Sequence, residues 1–368
     1  MMVTADLRET FLSLVRLGIG NYSVVPMHER MDWDAIKALA GKHGLSAVIV
    51  DGIEQLSDEQ RPPKIILLQW IGEVLQGYEY RSERYRKTIA EMAAFYNQHG
   101  FKMMVLKGYA CSLDWPKPEH RPCGDIDIWL FGQQKEADAA LLKANTNSTN
   151  KTKKFEIDNS HHHHSVFNWG EFMVENHYDF INVHHHKSNV EFEKLLKELA
   201  KDDSYVVELY GEKVYLPSPN LHALFLLKHI MIHFASEGIT LRQLLDWALF
   251  VNAHRKEVDW SWLEGVLNQY GMRRLYDIFN AICIDDLGLD VHIFTRIQFE
   301  PNLKERVLQD ILNPEYVAEL PAGFFRRTHF KYRRWKGNAW KHELCYKESM
   351  WSAFWSGVWN HLLKPSSI

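Results

Sequence analysis

Apolar positions in the first hundred residues recur at helical spacing. Trp33, Ile36, Leu39 and Ala40 form one such stripe, and Asp32 stands where a helix cap belongs. Pro62-Pro63 breaks the pattern. Residues 65–98 then run long and amphipathic, with Glu79, Arg81, Glu83, Arg84 and Arg86 around an apolar stripe, and Gly100 reads as the stop. The period changes next. Residues 101–106 are an apolar run fit for a buried strand, Lys107-Gly108 turns the chain, and 109–113 can start a helix. A loop with three prolines fills 115–122, and 125–131 alternates as a strand does. Residues 137–144 suit a short helix, 145–154 are polar and read as a mobile loop, and 172–183 predict a second, longer strand. Helical spacing returns over 221–234, 241–253, 260–270 and 273–287, before a basic and aromatic tail over 324–363.

This order predicts an α+β protein: a small mixed-sheet core over 99–216, between a helical region at 1–98 and another at 217–368. A hydrophobic fraction of 46% and a charged fraction of 24% are those of a globular chain. A net charge of −4 argues against a general nucleic-acid binder. Four cysteines without a C-x-x-C pair make a disulfide scaffold unsuitable, so a reducing cytoplasm is the expected compartment. No long uninterrupted apolar run and no basic-then-apolar leader stand in the sequence, so no membrane association is expected.

The chemistry concentrates in Gly124-Asp125-Ile126-Asp127-Ile128. On a strand, residues two apart share a face, so Asp125 and Asp127 project together while Ile126, Ile128 and Leu130 point inward. Neighbouring carboxylates raise each other's pKa unless a cation neutralises them, and hard oxygen donors favour Mg²⁺. Two-metal phosphoryl chemistry calls for a third acid. On 172–183, Met173, Glu175, His177, Asp179, Ile181 and Val183 share a face; Glu175 is the preferred third acid and Asp179 the reserve. Gly108 would let backbone N–H groups approach a phosphate, and Lys107 and Arg121 would supply positive charge.

Leu106-Lys107-Gly108, Trp115-Pro116 and Arg121-Pro122-Cys123-Gly124-Asp125-Ile126-Asp127-Ile128 together resemble the uncharacterised bacterial nucleotidyltransferase family, of the DNA polymerase β-like nucleotidyltransferase superfamily. Asp32-Trp33 with His43-Gly44-Leu45, Val174-Glu175-Asn176-His177, and His229, His233, Leu241-Arg242 and Asp246 extend the resemblance over most of the chain. It implies transfer of a nucleoside monophosphate from an NTP to an acceptor hydroxyl on a small molecule, protein or RNA. Asp125, Asp127 and Glu175 would hold two Mg²⁺ ions, with Mn²⁺ as the alternative. Lys107, Gly108, Arg121 and Gly124 would contact the triphosphate, and Arg242 and Asp246 the nucleotide or acceptor. The first turn reads Lys-Gly-Tyr where the superfamily usually has Gly-Gly or Gly-Ser, so no serine hydroxyl follows Gly108. A non-catalytic relative that binds or regulates is the competing reading.

Other features weigh less. His161–His164 has the look of a tag and His184–His186 a similar composition; consecutive histidines point in different directions, which makes them poor ligand sets. A histidine-based metallohydrolase would need zinc at full occupancy on His184–His186. His229 and His233 lie one turn apart but lack the H-E-x-x-H glutamate. The tail's Arg326-Arg327, Lys331, Arg333-Arg334 and Lys336, with Phe330, Tyr332, Trp335 and Trp340, could contact RNA, though solvated charges over packed aromatics are the plainer reading. Trp351, Phe354, Trp355, Val358 and Trp359 form a stripe suited to core or oligomer contact.

Overall fold

A computed structural model describes residues 3–21, 23–25, 31–146, 155–161, 163–184, 186–294, 297–314 and 321–363. The last eight residues of the 145–154 loop, and His162 and His185 of the two histidine runs, lie outside these residues, as do the side chains of Val358 and Trp359. The chain is mixed α/β and forms two compact units: 1–80 with 114–122 and 227–347, and 81–113 with 123–226 and 348–368. Among the described residues, no helix is long and apolar enough to cross a membrane.

The first unit is helical. Asp32 caps Trp33–His43, its Oδ1 accepting from the Ala35 N–H at 2.9 Å, and the helix ends on Gly44 at φ +66°. His43, buried at the end of that helix, accepts at Nδ1 from the Leu241 N–H at 3.2 Å, which fixes the start of Leu241–His254. The 65–98 stripe becomes Lys64–Val74 and Tyr80–Gln98 joined by a π-helical turn at Leu75–Glu79.

The second unit is built on one six-stranded sheet in the order β3-β4-β2-β1-β6-β5. The strands are β1 (Met104–Val105), β2 (Ile126–Trp129), β3 (His164–Trp169), β4 (Phe172–His177), β5 (Val206–Leu209) and β6 (Glu212–Tyr215). β2 runs antiparallel to β1 and parallel to β4; β3–β4 and β5–β6 are antiparallel hairpins, and β1 joins β6 in parallel. Ile126, Ile128 and Leu130 enter a core with Tyr85, Ile89, Met92 and Tyr96 of Tyr80–Gln98 and with Phe167, Phe172 and Val174. Burying apolar area on this face is the main term that holds the sheet to the helix.

Three strands go beyond the sequence reading: β3, β5 and β6. The expected strand over 172–183 stops at His177 for a specific reason. The next two backbone N–H groups, of Tyr178 and Asp179, both donate to the His163 carbonyl at 3.0 Å. The two after that, of Phe180 and Ile181, donate to the Glu193 carboxylate at 2.9 and 3.0 Å. With four successive donors captured, no ladder can continue.

Candidate active site

The register of the parallel β2–β4 pair sets Asp127 opposite Glu175, between Ile126 opposite Val174 and Ile128 opposite Asn176. Partner positions share a face, so the two carboxylates meet while the isoleucines enter the core. Asp127 is 2% exposed, whereas the Glu175 side chain keeps 18% of its surface and leaves the pair open on one side. His177, two residues along β4, reaches the same place: its Nε2 lies 3.0 Å from Asp127 Oδ1 and 3.6 Å from Glu175 Oε2. Its Nδ1 faces the Asp179 carbonyl at 3.1 Å, which orients the ring. Lys107, at the start of the Lys107–Ser112 helix, completes the group with Nζ 2.6 Å from Asp127 Oδ1.

Asp125 stands just before β2 and is held through its backbone. The Tyr85 hydroxyl donates to the Asp125 carbonyl at 2.9 Å, and Arg81 Nε donates to the Cys123 carbonyl at 3.1 Å. Gly108 makes the first of these bonds possible: a Cβ at that position would lie 2.3 Å from the Tyr85 hydroxyl oxygen. Gly124 is different. It is exposed, and a Cβ there would meet nothing within 4 Å, so packing does not require glycine. Tyr109, the residue after Gly108, is buried in the core. The nearest serine, Ser112, donates its hydroxyl back to the Tyr109 carbonyl at 2.7 Å.

Charges in this cluster shift one another. Burial disfavours ionised Asp127, but Lys107 and His177 outweigh it and hold that carboxyl far below the usual range. Burial likewise works against the His177 cation; its hydrogen bonds to Asp127 and Glu175 prevail and raise it to about 9. Burial also opposes ionised Glu175, which the His177 hydrogen bond brings below its ordinary value. Asp125 goes the other way, pushed up by burial and then by the charge of Asp127. Asp125 therefore differs from Asp127: burial and the neighbouring acid charges outweigh the opposing charge of Lys107 there.

Two histidines of the 161–164 run, read from the sequence as a poor ligand set, lie beside this group. β3 places His164 opposite His177. His164 Nε2 is 3.8 Å from Glu175 Oε1, and the His163 ring centroid is 4.2 Å from that of His164. Burial pushes His163 down to about 3 and His164 to about 4, so both are neutral near neutral pH. On the opposite face, Asp138 ties the hairpin together, accepting from Ser165 Oγ at 2.7 Å and Asn176 Nδ2 at 2.8 Å. The available signal for His177 was its place two residues after Glu175; for His164 it was the alternation of 164–169, hidden behind the histidine run.

Lys107, Gly108, Gly124, Asp125, Asp127 and Glu175 thus share the second unit. Arg121, Arg242 and Asp246 belong to the first. There, Arg121 makes a buried bidentate pair with Asp246, Nε donating to Oδ1 at 2.8 Å and Nη2 to Oδ2 at 3.0 Å, and Trp115 Nε1 donates to Asp246 Oδ1 at 2.9 Å. Asp179, the reserve acid, pairs with Lys197. His229 and His233 meet edge to face at 4.4 Å between ring centroids. The described histidines of the 184–186 run belong to none of the metal-capable groups found among the described residues.

Asp127, Glu175 and His177 each offer a ligand atom, all within 4.8 Å of one another. Two carboxylates and an imidazole suit a divalent cation, and the two acids are hard donors fit for Mg²⁺. The chain belongs to the uncharacterised nucleotidyltransferase family, whose model matches residues 29–283, and nucleotidyl transfer is the general activity that the match supports. No curated protein and no solved structure matches the chain.

Proposed function

We propose that this member of the family moves a nucleoside monophosphate from an NTP to an acceptor hydroxyl and releases pyrophosphate. The observation that carries the reading is the Asp127–Glu175 pairing across β2 and β4, with Asp125 close enough to feel both charges. Asp125, Asp127 and Glu175 would hold two Mg²⁺ ions, or Mn²⁺ in their place. Bound there, the ions would neutralise triphosphate charge and acidify the acceptor hydroxyl. Glu175, the more exposed of the strand acids, takes the proton from that hydroxyl as it attacks the α-phosphorus. Lys107, which lies on Asp127, would be free to contact the β- and γ-phosphates where a metal ion served Asp127 in its place. Gly108 and Gly124 leave bare backbone beside the phosphates. The acceptor hydroxyl forms the new P–O bond, the bond from the α-phosphorus to the bridging oxygen breaks, and pyrophosphate carries off the negative charge.

One observation favours the second reading, a relative that binds without turning over. Asp127 Oδ1 receives both Lys107 and His177, so the site neutralises itself without added metal. Substituting Asp125→Asn and Asp127→Asn together separates the two. A catalyst consumes NTP in the presence of Mg²⁺ and loses that consumption in the double variant. A binding relative gives a Mg²⁺- and NTP-dependent thermal shift that the same variant abolishes, with no turnover in either protein. Undiminished turnover in the variant overturns the assignment of both acids.

A further inference from the structure

Three imidazoles crowd one end of the β3–β4 hairpin. The ring centroids of His163, His164 and His177 are separated by 4.2, 5.3 and 5.7 Å, and one ligand nitrogen from each lies within 4.8 Å of the others. His164 and His177 are buried, and the Nδ1 atoms of His163 and His164 are buried without a hydrogen-bond partner. Leaving polar ring atoms buried and unpaired is costly, and crowding three imidazoles together increases that cost unless a cation joins them. Their placement is fixed by backbone: the His163 carbonyl accepts from the Tyr178 and Asp179 N–H groups, and His164 is locked opposite His177 in the ladder. This is what the sequence alone could not supply, because a run of histidines has no fixed direction until one of them enters a strand.

We propose that His163, His164 and His177 form a transition-metal site, distinct in donor type from the carboxylate group, that takes a borderline divalent ion of the Zn²⁺ class. Nitrogen donors select such an ion over Mg²⁺, which prefers oxygen. Tetrahedral Zn²⁺ with metal–nitrogen bonds near 2.0 Å requires donor atoms about 3.3 Å apart, so rotations of the rings about their side-chain torsions close the set. Glu175, whose Oε1 lies 3.8 Å from His164 Nε2, is the nearest oxygen for a fourth position. His177 Nε2 lies on Asp127, so an ion that takes this nitrogen displaces its proton and that hydrogen bond, shares a ligand with the acidic site and competes with the arrangement that Mg²⁺ would use. The proposal stands whether or not the acidic site transfers nucleotides.

The test uses the full chain without any added histidine tag, stripped with a chelator and titrated with Co²⁺ and then Zn²⁺. The expected result is one Co²⁺ per chain with visible d–d absorption of a tetrahedral nitrogen-rich site, bleached by one equivalent of Zn²⁺. His163→Ala and His164→Ala each weaken Zn²⁺ binding at least tenfold, while Asp125→Asn leaves it within twofold; circular dichroism verifies that each variant is folded. Where an alanine variant does not fold, His163→Asn and His164→Asn take its place. Binding of several weak ions per chain, or tight binding that survives the His163→Ala/His164→Ala double change, overturns the proposal. A thermal shift with Mg²⁺ and NTP, measured on the same proteins, reports on the acidic site separately: its absence beside intact Zn²⁺ binding counts against nucleotidyl transfer only.

Discussion

Asp127 accepts two cationic side chains on one carboxylate oxygen, Lys107 at 2.6 Å and His177 at 3.0 Å, in a place only 2% exposed. Two buried positive groups on a single oxygen are more than one aspartate needs, and Glu175 opposite supplies the second negative charge. The cluster is therefore balanced within the protein, and a divalent ion entering it must displace an internal cation. This gives Lys107 two possible tasks, counterion in the resting site and phosphate ligand in the loaded one, and the tasks respond differently to metal.

Replacing Lys107→Met isolates the first task. With chelator present, Asp127 keeps only His177, and a buried carboxylate deprived of a partner costs about 3 kcal/mol. With millimolar Mg²⁺, the ion supplies the missing charge, and a large part of the loss is expected to return. Thermal denaturation of wild type and variant, with chelator and with Mg²⁺, measures the difference. An equal loss under both conditions would show that Mg²⁺ does not reach Asp127.

The two glycines of the site are expected to part company. Gly108→Ala puts a methyl group 2.3 Å from the Tyr85 hydroxyl oxygen, forcing Tyr85 off the Asp125 carbonyl. That variant should lose about 1–3 kcal/mol of stability together with activity. Gly124→Ala meets no atom within 4 Å and should keep its melting temperature, within about 0.5 kcal/mol in stability. If Gly124 leaves room for a phosphate, the same variant shows a raised KM for NTP. Melting curves beside steady-state kinetics decide both; an unchanged KM removes Gly124 from the phosphate contacts.

Much of the site was legible because its signals are local. Asp-x-Asp on an alternating segment fixes a shared face, and Glu175 in an apolar lead-in fixes a strand position, so the acids could be named before any fold was known. What lay hidden depends on partners distant in sequence. The end of β4 is set by Glu193 and by the His163 carbonyl, neither of which is visible from 172–183 alone. β3 begins inside a histidine run that reads as composition rather than alternation. The β5–β6 hairpin turns at Tyr210-Gly211, with φ of +50° and +84°, but β5 is largely exposed and its apolar alternation is weak. The resemblance gives Asp246, with Arg242, a place on the nucleotide or acceptor; the structure joins it to Arg121, 125 positions away.

That long-range pair makes its own prediction. Both Asp246 oxygens accept from Arg121, and Trp115 adds a third bond, with all three residues buried. Lysine offers a point charge in place of a planar fork, so Arg121→Lys cannot reproduce the geometry. A loss of about 2–4 kcal/mol is expected, because one carboxylate oxygen or the indole N–H is left poorly paired. Urea denaturation measures it. A variant as stable as wild type but with a raised KM for NTP would instead give Arg121 its task on the triphosphate.

His43 contributes to the acid limb of stability in the helical unit. It is buried and receives the Leu241 N–H at Nδ1, and burial, with the charge of Lys42 adding to it, lowers it from the ordinary 6.5 to about 4. The native protein therefore holds this imidazole neutral where the unfolded chain already binds a proton. Because the folded value is the lower one, the contribution is fully present above pH 6.5 and is lost as pH falls through about 4. A shift of this size corresponds to at most about 3 kcal/mol. His43→Gln keeps a carbonyl oxygen for the Leu241 N–H but cannot be protonated in this range. Its stability is expected to lie below wild type at pH 7, since the amide fits the ring's place poorly, and to fall less steeply between pH 6.5 and 4. Urea unfolding at several pH values across that window supplies the two slopes. Parallel slopes would mean that His43 takes up its proton without unfolding, through a rearrangement that brings its ring to water.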